Sequence, residues 1–252
     1  MGGISIISDI HVAEAADEHY ALLLKFMQHP VVTSSSNVFF LGDIFDLLVG
    51  EFQEYQTSFA AFFHELDHLL DKNITIYYLE GNHDFHAENL FLQTLKSKNK
   101  KLFHYCRRGV EKYFWDKKYY LSHGDEIDLG DPGYKIYTQV IRSSVVNLLI
   151  NRVLPYQVVS DIGAWASGQS KARNHDRYTS PDREKGTKAL FRQAVSKEVA
   201  VIGCDFFICG HSHVKDRWDL TNGLYLNNGY VPLEKSFLYI DNNRAAFVTL
   251  NS

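Results

Sequence analysis

Seven side chains able to bind a metal ion lie in five short clusters: Asp9 and His11, Asp43, Asn82, His123, then His211 and His213. Each cluster directly follows an apolar run, and the runs are Gly3 to Ile7, Val38 to Leu41, Ile74 to Leu79, Tyr119 to Leu121 and Phe206 to Cys209. All are short, rich in β-branched or aromatic residues, and ended by polar or glycine-containing turns, which is how buried strands read. Donors placed just past the ends of neighbouring strands meet at one edge of a sheet, where a rigid scaffold supports the chemistry. The pattern therefore demands a fold in which widely separated strands end together.

The intervening sequence supplies one. Strand 3–7, a helix from about 17 to 28, strand 38–41, a helix from about 52 to 70 and strand 74–79 alternate, which favours parallel pairing with right-handed crossovers. After Lys100 the pattern turns to strands and hairpins. Val110 to Trp115 and Tyr119 to Leu121 are joined by Asp116-Lys117-Lys118, and Val214 to Trp218, Leu224 to Asn227, Ser236 to Ile240 and Ala245 to Leu250 follow. The expectation is one α/β domain over 1–252, with two sheets packed face to face and helices outside. At 45% hydrophobic content, 252 residues suffice for such a core.

Residues from about 130 to 199 differ in character. Tyr137, Val140, Ile141, Val145, Leu148 and Leu149 have helical spacing in a stretch, Tyr134 to Leu154, that is free of glycine and proline. Between 131 and 198 there are 11 Lys and Arg against 6 Asp and Glu, whereas the rest of the chain has 15 against 24. An apolar helix followed by Lys171, Arg173, His175 and Arg177 reads as a cap inserted into the domain. An ordinary packed helix with a solvated basic loop is the alternative.

Several function classes fall away. Cys106, Cys204 and Cys209 are odd in number and lack CxxC spacing, so neither a disulfide framework nor a zinc-thiolate site is indicated. Met1 to Ile7 lacks the basic start of a signal peptide, and no run approaches the roughly 20 apolar residues of a membrane span. A cytosolic chain, or one held at a membrane surface, is expected. No Walker A loop or G-x-S-x-G elbow appears.

The clusters point instead to metal-assisted hydrolysis. Asp9 and His11 stand two apart at a strand end, so both can face one side, and His211 with His213 repeats that spacing. Asp43 adds a carboxylate able to bridge two ions, with Gly42 before it permitting close approach of backbone. In Gly81-Asn82-His83-Asp84, Asn82 offers a neutral oxygen, His83 a donor to phosphate, and Asp84 an acceptor that could orient the His83 ring. Two dications about 3.5–4 Å apart would activate water, orient phosphoryl oxygens and stabilise the charge of an in-line displacement. No protein nucleophile is then needed.

Taken in order, DxH, GD, GNHD, HGD and GHSH resemble the calcineurin-like metallophosphoesterases, over residues 9 to 213. The resemblance implies a four-layer α/β/β/α sandwich of two mixed sheets with a helical cap insertion. It also implies that Asp9, His11, Asp43 and His213 hold one divalent ion, and Asp43, Asn82, His123 and His211 a second. Manganese is the implied metal, and mixed N/O ligation without thiolate suits Mn, Fe or Zn. The stretches Leu41 to Asp46, Gly81 to Phe85, Asp131 to Tyr134 and Ser170 to Asn174 further resemble the UDP-2,3-diacylglucosamine hydrolases of lipid A synthesis. Those enzymes attack the α-phosphate of the nucleotide, releasing UMP and a diacylated glucosamine 1-phosphate.

By that resemblance the catalytic residues are His83 and Asp84, and the substrate contacts Asn82, His83, Asp131, Lys171, Arg173 and Asn174. His83 departs from the group, since some members have arginine there. A diacyl nucleotide sugar as substrate implies peripheral attachment at the cytoplasmic face of an inner membrane, through exposed apolar residues flanked by Lys and Arg. No nucleic-acid partner is implied, and oligomeric state is left open. A soluble phosphodiester substrate, or a scaffold without catalysis, are the competing readings.

Overall fold

The computed structural model describes residues 2–127, 129–163, 180–221 and 223–250. Its first sheet grows from three parallel strands, β1 (Ile4–Ile7), β2 (Asn37–Phe40) and β4 (Thr75–Leu79), with β6 (Phe103–Cys106) parallel to β4. On the far side of β1, β12 (Ser236–Ile240) and β13 (Ala245–Thr249) continue it in antiparallel fashion. The second sheet runs in the order β10 (Asp216–Leu220), β11 (Gly223–Asn227), β9 (Phe206–Cys209), β8 (Lys117–Leu121) and β7 (Val110–Phe114). A small ribbon pairs β3 (Leu48–Val49) with β5 (Asp84–Phe85).

Four layers follow from the two-residue alternation of strands. Along β2, Val38 and Phe40 pack with helices α1 (Glu18–Gln28), α4 (Ala60–Asp71) and α5 (Glu88–Thr94), while Phe39 and the following Leu41 face the second sheet. A single turn, α2 (Pro30–Thr33), leads from α1 towards β2. Within β4, Ile76 and Tyr78 go one way and Tyr77 and Leu79 the other. Covered on both faces, these strands read as unbroken apolar runs rather than as alternations. The outer face of the second sheet is covered by α9 (Pro181–Ile202), whose Phe191, Ala194 and Val195 pack with Phe207, Cys209 and Tyr225. The α/β/β/α arrangement is thus present.

Helices between β8 and β9 occupy the crossover of a parallel pair. They are α6 (Pro132–Ile141), α7 (Ser144–Arg152), a helical stretch at 156–163 (α8), and α9. Ile150 and Val159 of this segment join Val49 and Phe85 of the small ribbon in a separate apolar cluster.

Four local expectations are corrected. The helix anticipated over 134–154 is two, because Ser143 accepts from the amide of Val146 as an N-cap and the Arg142 side chain is drawn inward to Asp125. The helix anticipated over 52–70 likewise divides at Phe59 into α3 (Gln53–Ser58) and α4. The β7–β8 turn is Trp115-Asp116, both at positive φ, with Phe114 paired to Lys117. Two such residues match the twist of a hairpin, so Lys117 and Lys118 belong to the strand. Strand β10 starts at Asp216 rather than Val214, since the Val214 amide is taken by the Ser212 hydroxyl.

Candidate metal centre

All seven donors named above converge at the C-terminal edge of the two sheets. Asp9 and His11 leave β1, Asp43 leaves β2, Asn82 leaves β4, His123 leaves β8, and His211 and His213 leave β9. Main-chain bonds knit the turns: the amides of Ile10 and His11 both donate to the Asp43 carbonyl, at 2.9 and 3.0 Å. The sharpness of these turns shows in the backbone, for Asp9, His11, Asp43, His211 and His213 all adopt φ between 51° and 65°. Non-glycine residues enter that region rarely and at a cost, and its concentration here is the mark of a functional edge.

Glycines beside the donors serve close approach. A β-carbon on Gly42, itself at φ 79°, would lie 2.6 Å from the backbone of Gly81. One on Gly81 would collide with the carboxylate and amide of Asp43, and one on Gly210 with the carboxylate of Asp9.

The donors form two groups that share Asp43. Asp9, His11, Asp43 and His213 make one, and Asp43, His123 and His211 the other. In the first, His11 Nε2 lies 3.1 Å from His213 Nε2 and 3.6 Å from Asp43 Oδ2, and His213 Nε2 lies 3.3 Å from Asp9 Oδ1. In the second, His123 Nε2 lies 3.4 Å from Asp43 Oδ2 and 3.1 Å from Asn82 Oδ1. Two ligands each about 2.0–2.2 Å from one ion stand roughly 3.0–3.5 Å apart, so these separations fit donors around a common centre. Imidazole and carboxylate without thiolate fit a divalent ion of the Mn, Fe or Zn kind.

Electrostatics agree. Burial alone would raise the pKa of Asp43, yet the charges of His123 and His83 and the bond to His123 hold it well below the usual carboxylate range. Asp9, also opposed by burial, is held low by His213. Burial would lower His123, but the Asp43 carboxylate lifts it to about 10. His211, buried and next to His123, is depressed to about 3, and burial lowers His11 as well. In the bare protein a proton on His123 thus neutralises Asp43, where a cation would do the same.

Asp84 does not meet His83 as anticipated. Its carboxylate, wholly buried, accepts from the amides of Asp43 (2.8 Å), Ile44 (2.8 Å) and Gly81 (2.9 Å) and from the Tyr78 hydroxyl (2.6 Å). Asp84 therefore shapes the turns that carry Asp43 and Asn82. The ring of His83 is held instead by the main-chain carbonyl of Asp46, 3.0 Å from Nδ1, while its own amide donates to Asp43 Oδ1 at 3.0 Å.

Of the other anticipated contacts, Asp131 is the N-cap of α6, accepting from the amides of Gly133 and Tyr134 at 2.9 and 3.1 Å. Lys171, Arg173 and Asn174 lie outside the described residues. Three neighbours carried no assigned role in the sequence. Asp46 Oδ1 lies 3.6 Å from His11 Nδ1, Tyr134 Oη lies 3.3 Å from His211 Nε2, and Tyr230 stacks on His213 at 5.3 Å between centroids. Asp46 and Tyr134 each close a stretch already singled out, Leu41 to Asp46 and Asp131 to Tyr134, but nothing there assigned either a role. The tyrosines depend on packing that spacing does not reveal.

A sequence model of the calcineurin-like phosphoesterases matches residues 4–215. The UDP-2,3-diacylglucosamine hydrolase of Neisseria meningitidis serogroup C (strain FAM18) is 26% identical, over 97% of this chain and 96% of that protein. That of Haemophilus influenzae (strain Rd) is 24% identical, over 82% of this chain and 81% of its own length. The crystal structure of the TT1561 protein of Thermus thermophilus superposes with a TM-score of 0.51 at 11% identity, covering 99% of both chains, which is a likeness of fold.

Proposed function

This chain belongs to the calcineurin-like phosphoesterase family and is a phosphoester or pyrophosphate hydrolase, and from that premise we propose that it cleaves UDP-2,3-diacylglucosamine to UMP and 2,3-diacylglucosamine 1-phosphate. The observation that carries the proposal is the placement of two donor groups sharing Asp43 beside helices that expose a row of large apolar residues. On α6 and α7, Ile136, Val140, Val145 and Leu148 are between 53% and 67% exposed. Support also comes from relatives of that name matching nearly the full chain.

Asp9, His11, Asp43 and His213 would hold one divalent ion, and Asp43, Asn82, His123 and His211 the other, with manganese as the proposed metal. Bound together, such ions supply activation of water at neutral pH and charge stabilisation for in-line displacement. The chain's own residues do the rest. Asp46 and the turn bonds to Asp84 hold the donors in place. His83 Nδ1 donates to the Asp46 carbonyl, which leaves Nε2 as the atom through which the ring addresses a phosphoryl oxygen. Tyr134, its hydroxyl beside His211, borders the phosphate region from the helical side.

The helices between β8 and β9 then act as a cap. Their apolar residues receive acyl chains and rest against a lipid surface, with the exposed Arg152 and the basic run beyond nearby in sequence. Among the described residues no helix is long and apolar enough to cross a membrane, so attachment at the cytoplasmic face of an inner membrane would be peripheral.

The test compares substrates. With Mn2+ and UDP-2,3-diacylglucosamine in mixed micelles, UMP should appear stoichiometrically with the lipid phosphate. In 18O water the label should enter UMP, as attack on the α-phosphate requires. Turnover of simple aryl phosphodiesters with no UMP release would instead assign a soluble diester.

A further inference from the structure

Arg142 stands at the break between α6 and α7, and its guanidinium is turned away from solvent, with a side chain 14% exposed. One nitrogen, Nη2, lies 3.1 Å from the carbonyl of Glu80 and 3.0 Å from Asp125 Oδ1. The other, Nη1, donates to the carbonyl of Arg107 at 3.0 Å. Glu80 is two residues before Asn82 and Asp125 two residues after His123. The same nitrogen thus bridges the turns that carry those two donors, whose own atoms stand 3.1 Å apart.

The joint is fastened a second time. His86, at φ 59° and 2% exposed, donates from Nε2 to the carbonyl of Ile141 at 2.8 Å. Its main-chain carbonyl accepts from Asn151 of α7 at 3.2 Å. Glu80, through Oε1, accepts from the His86 amide at 2.8 Å. Residues 141–142 are therefore anchored to the protein's interior while the faces of α6 and α7 stay exposed.

We propose that Arg142 is a positioning residue, which holds Asn82 and His123 in register only while the helical segment is docked, so that the second donor group and the placement of that segment depend on each other. Coupling of this kind is reciprocal: whatever steadies the donors steadies the helices, by the same free energy. Removing a bond that orients a metal ligand typically weakens the ion about 10–100-fold. Among those described, the bonds of Arg142 reach the turns of Asn82 and His123 and none of the turns that carry Asp9, His11 and His213, so the first donor group should be spared. The inference rests on the donor pairing given under the proposed function.

The experiment measures binding of Mn2+ alone to metal-stripped protein by calorimetry and paramagnetic resonance, with hydrogen exchange over residues 132–152. Wild type should bind two ions, and Mn2+ should slow exchange in the helices. Arg142→Gln should keep one site and weaken the other about 10–100-fold, with Mn2+ no longer protecting the helices. Arg142→Lys, which retains the charge but cannot fork to both turns, should fall between, and it carries the test where the glutamine variant does not fold. A merely structural role would lower the melting temperature of both variants and leave the two affinities equal to those of wild type. That result overturns the inference. Wild type binding a single ion would overturn the donor pairing beneath it.

Discussion

Replacing Asp84 by Asn changes one atom at the base of the site and tests whether this carboxylate organises the turns. Whichever way the amide turns, an acceptor oxygen becomes an NH2 group. On the Oδ1 side it would confront the amides of Asp43 and Gly81; on the Oδ2 side, the amides of Ile44 and, more distantly, Phe45, and the hydroxyl of Tyr78. The second orientation is milder, since the hydroxyl can rotate to accept, and the amides lost are Ile44 at 2.8 Å and Phe45 at a long 3.4 Å. A buried amide left without a partner costs about 1–3 kcal/mol, and exchanging a charged acceptor for a neutral one weakens each of the two surviving bonds by about 1 kcal/mol. The sum is about 3–5 kcal/mol, or a fall of roughly 6–20 °C in melting temperature for a chain of this size.

Urea unfolding at pH 8 reads the difference, with unchanged m-value as the sign that stability alone has moved. The choice of pH matters. Burial and the Asp43 carboxylate push the Asp84 pKa up to about 7, whereas every bonding partner described for it is a donor that favours the ionised form. Stability within about 1 kcal/mol of wild type at pH 8 would show that a neutral side chain satisfies those donors, and the organising role would be lost.

Three further outcomes follow from the same geometry. Gly81→Ala should cost about 1–3 kcal/mol by forcing the turn away from Asp43, and should weaken Mn2+ binding; calorimetry showing full affinity would contradict the close approach. In the metal-free protein His123 lies raised from 6.5 to about 10, so its stabilising contribution is complete below pH 6.5 and fades as pH rises through about 10. Uptake of Mn2+ at pH 8 should therefore release about one proton from that ring, seen by titration in buffers of different ionisation enthalpy, and zero release would remove His123 from the donor set. Replacing Ile136, Val145 and Leu148 together by Ser should change stability by less than about 1 kcal/mol, because all three are exposed. The triple variant should fail to sediment with anionic vesicles that retain the wild-type protein; equal retention would refute surface docking.

The donor clusters and the parallel βαβαβ half were legible in the sequence for a simple reason. Strands covered on both faces are apolar throughout, and a polar or glycine turn must follow where they end, so β1, β2, β4 and β9 announce themselves together with the residues beyond them. The hairpin turn at Trp115-Asp116 and the break at Arg142 were not legible. Neither a positive φ nor the pull of Asp125 on a guanidinium leaves a local trace. Helix α9 was equally hidden, since it buries chiefly Phe191, Ala194 and Val195 within 22 residues of which half are polar.

Chain order alone determined which side chains could serve as donors and which strands would carry them, because hydrophobic runs and turn residues are local properties. The grouping of those donors around Asp43 was implied by family resemblance and takes its distances from the fold; only the folded arrangement decided that Asp84 binds the turns rather than His83, and that Asp46, Tyr134 and Arg142 lie at the site. Those relations are distances between segments up to some 200 residues apart, set by how two sheets and a crossover pack, and no window of sequence contains them.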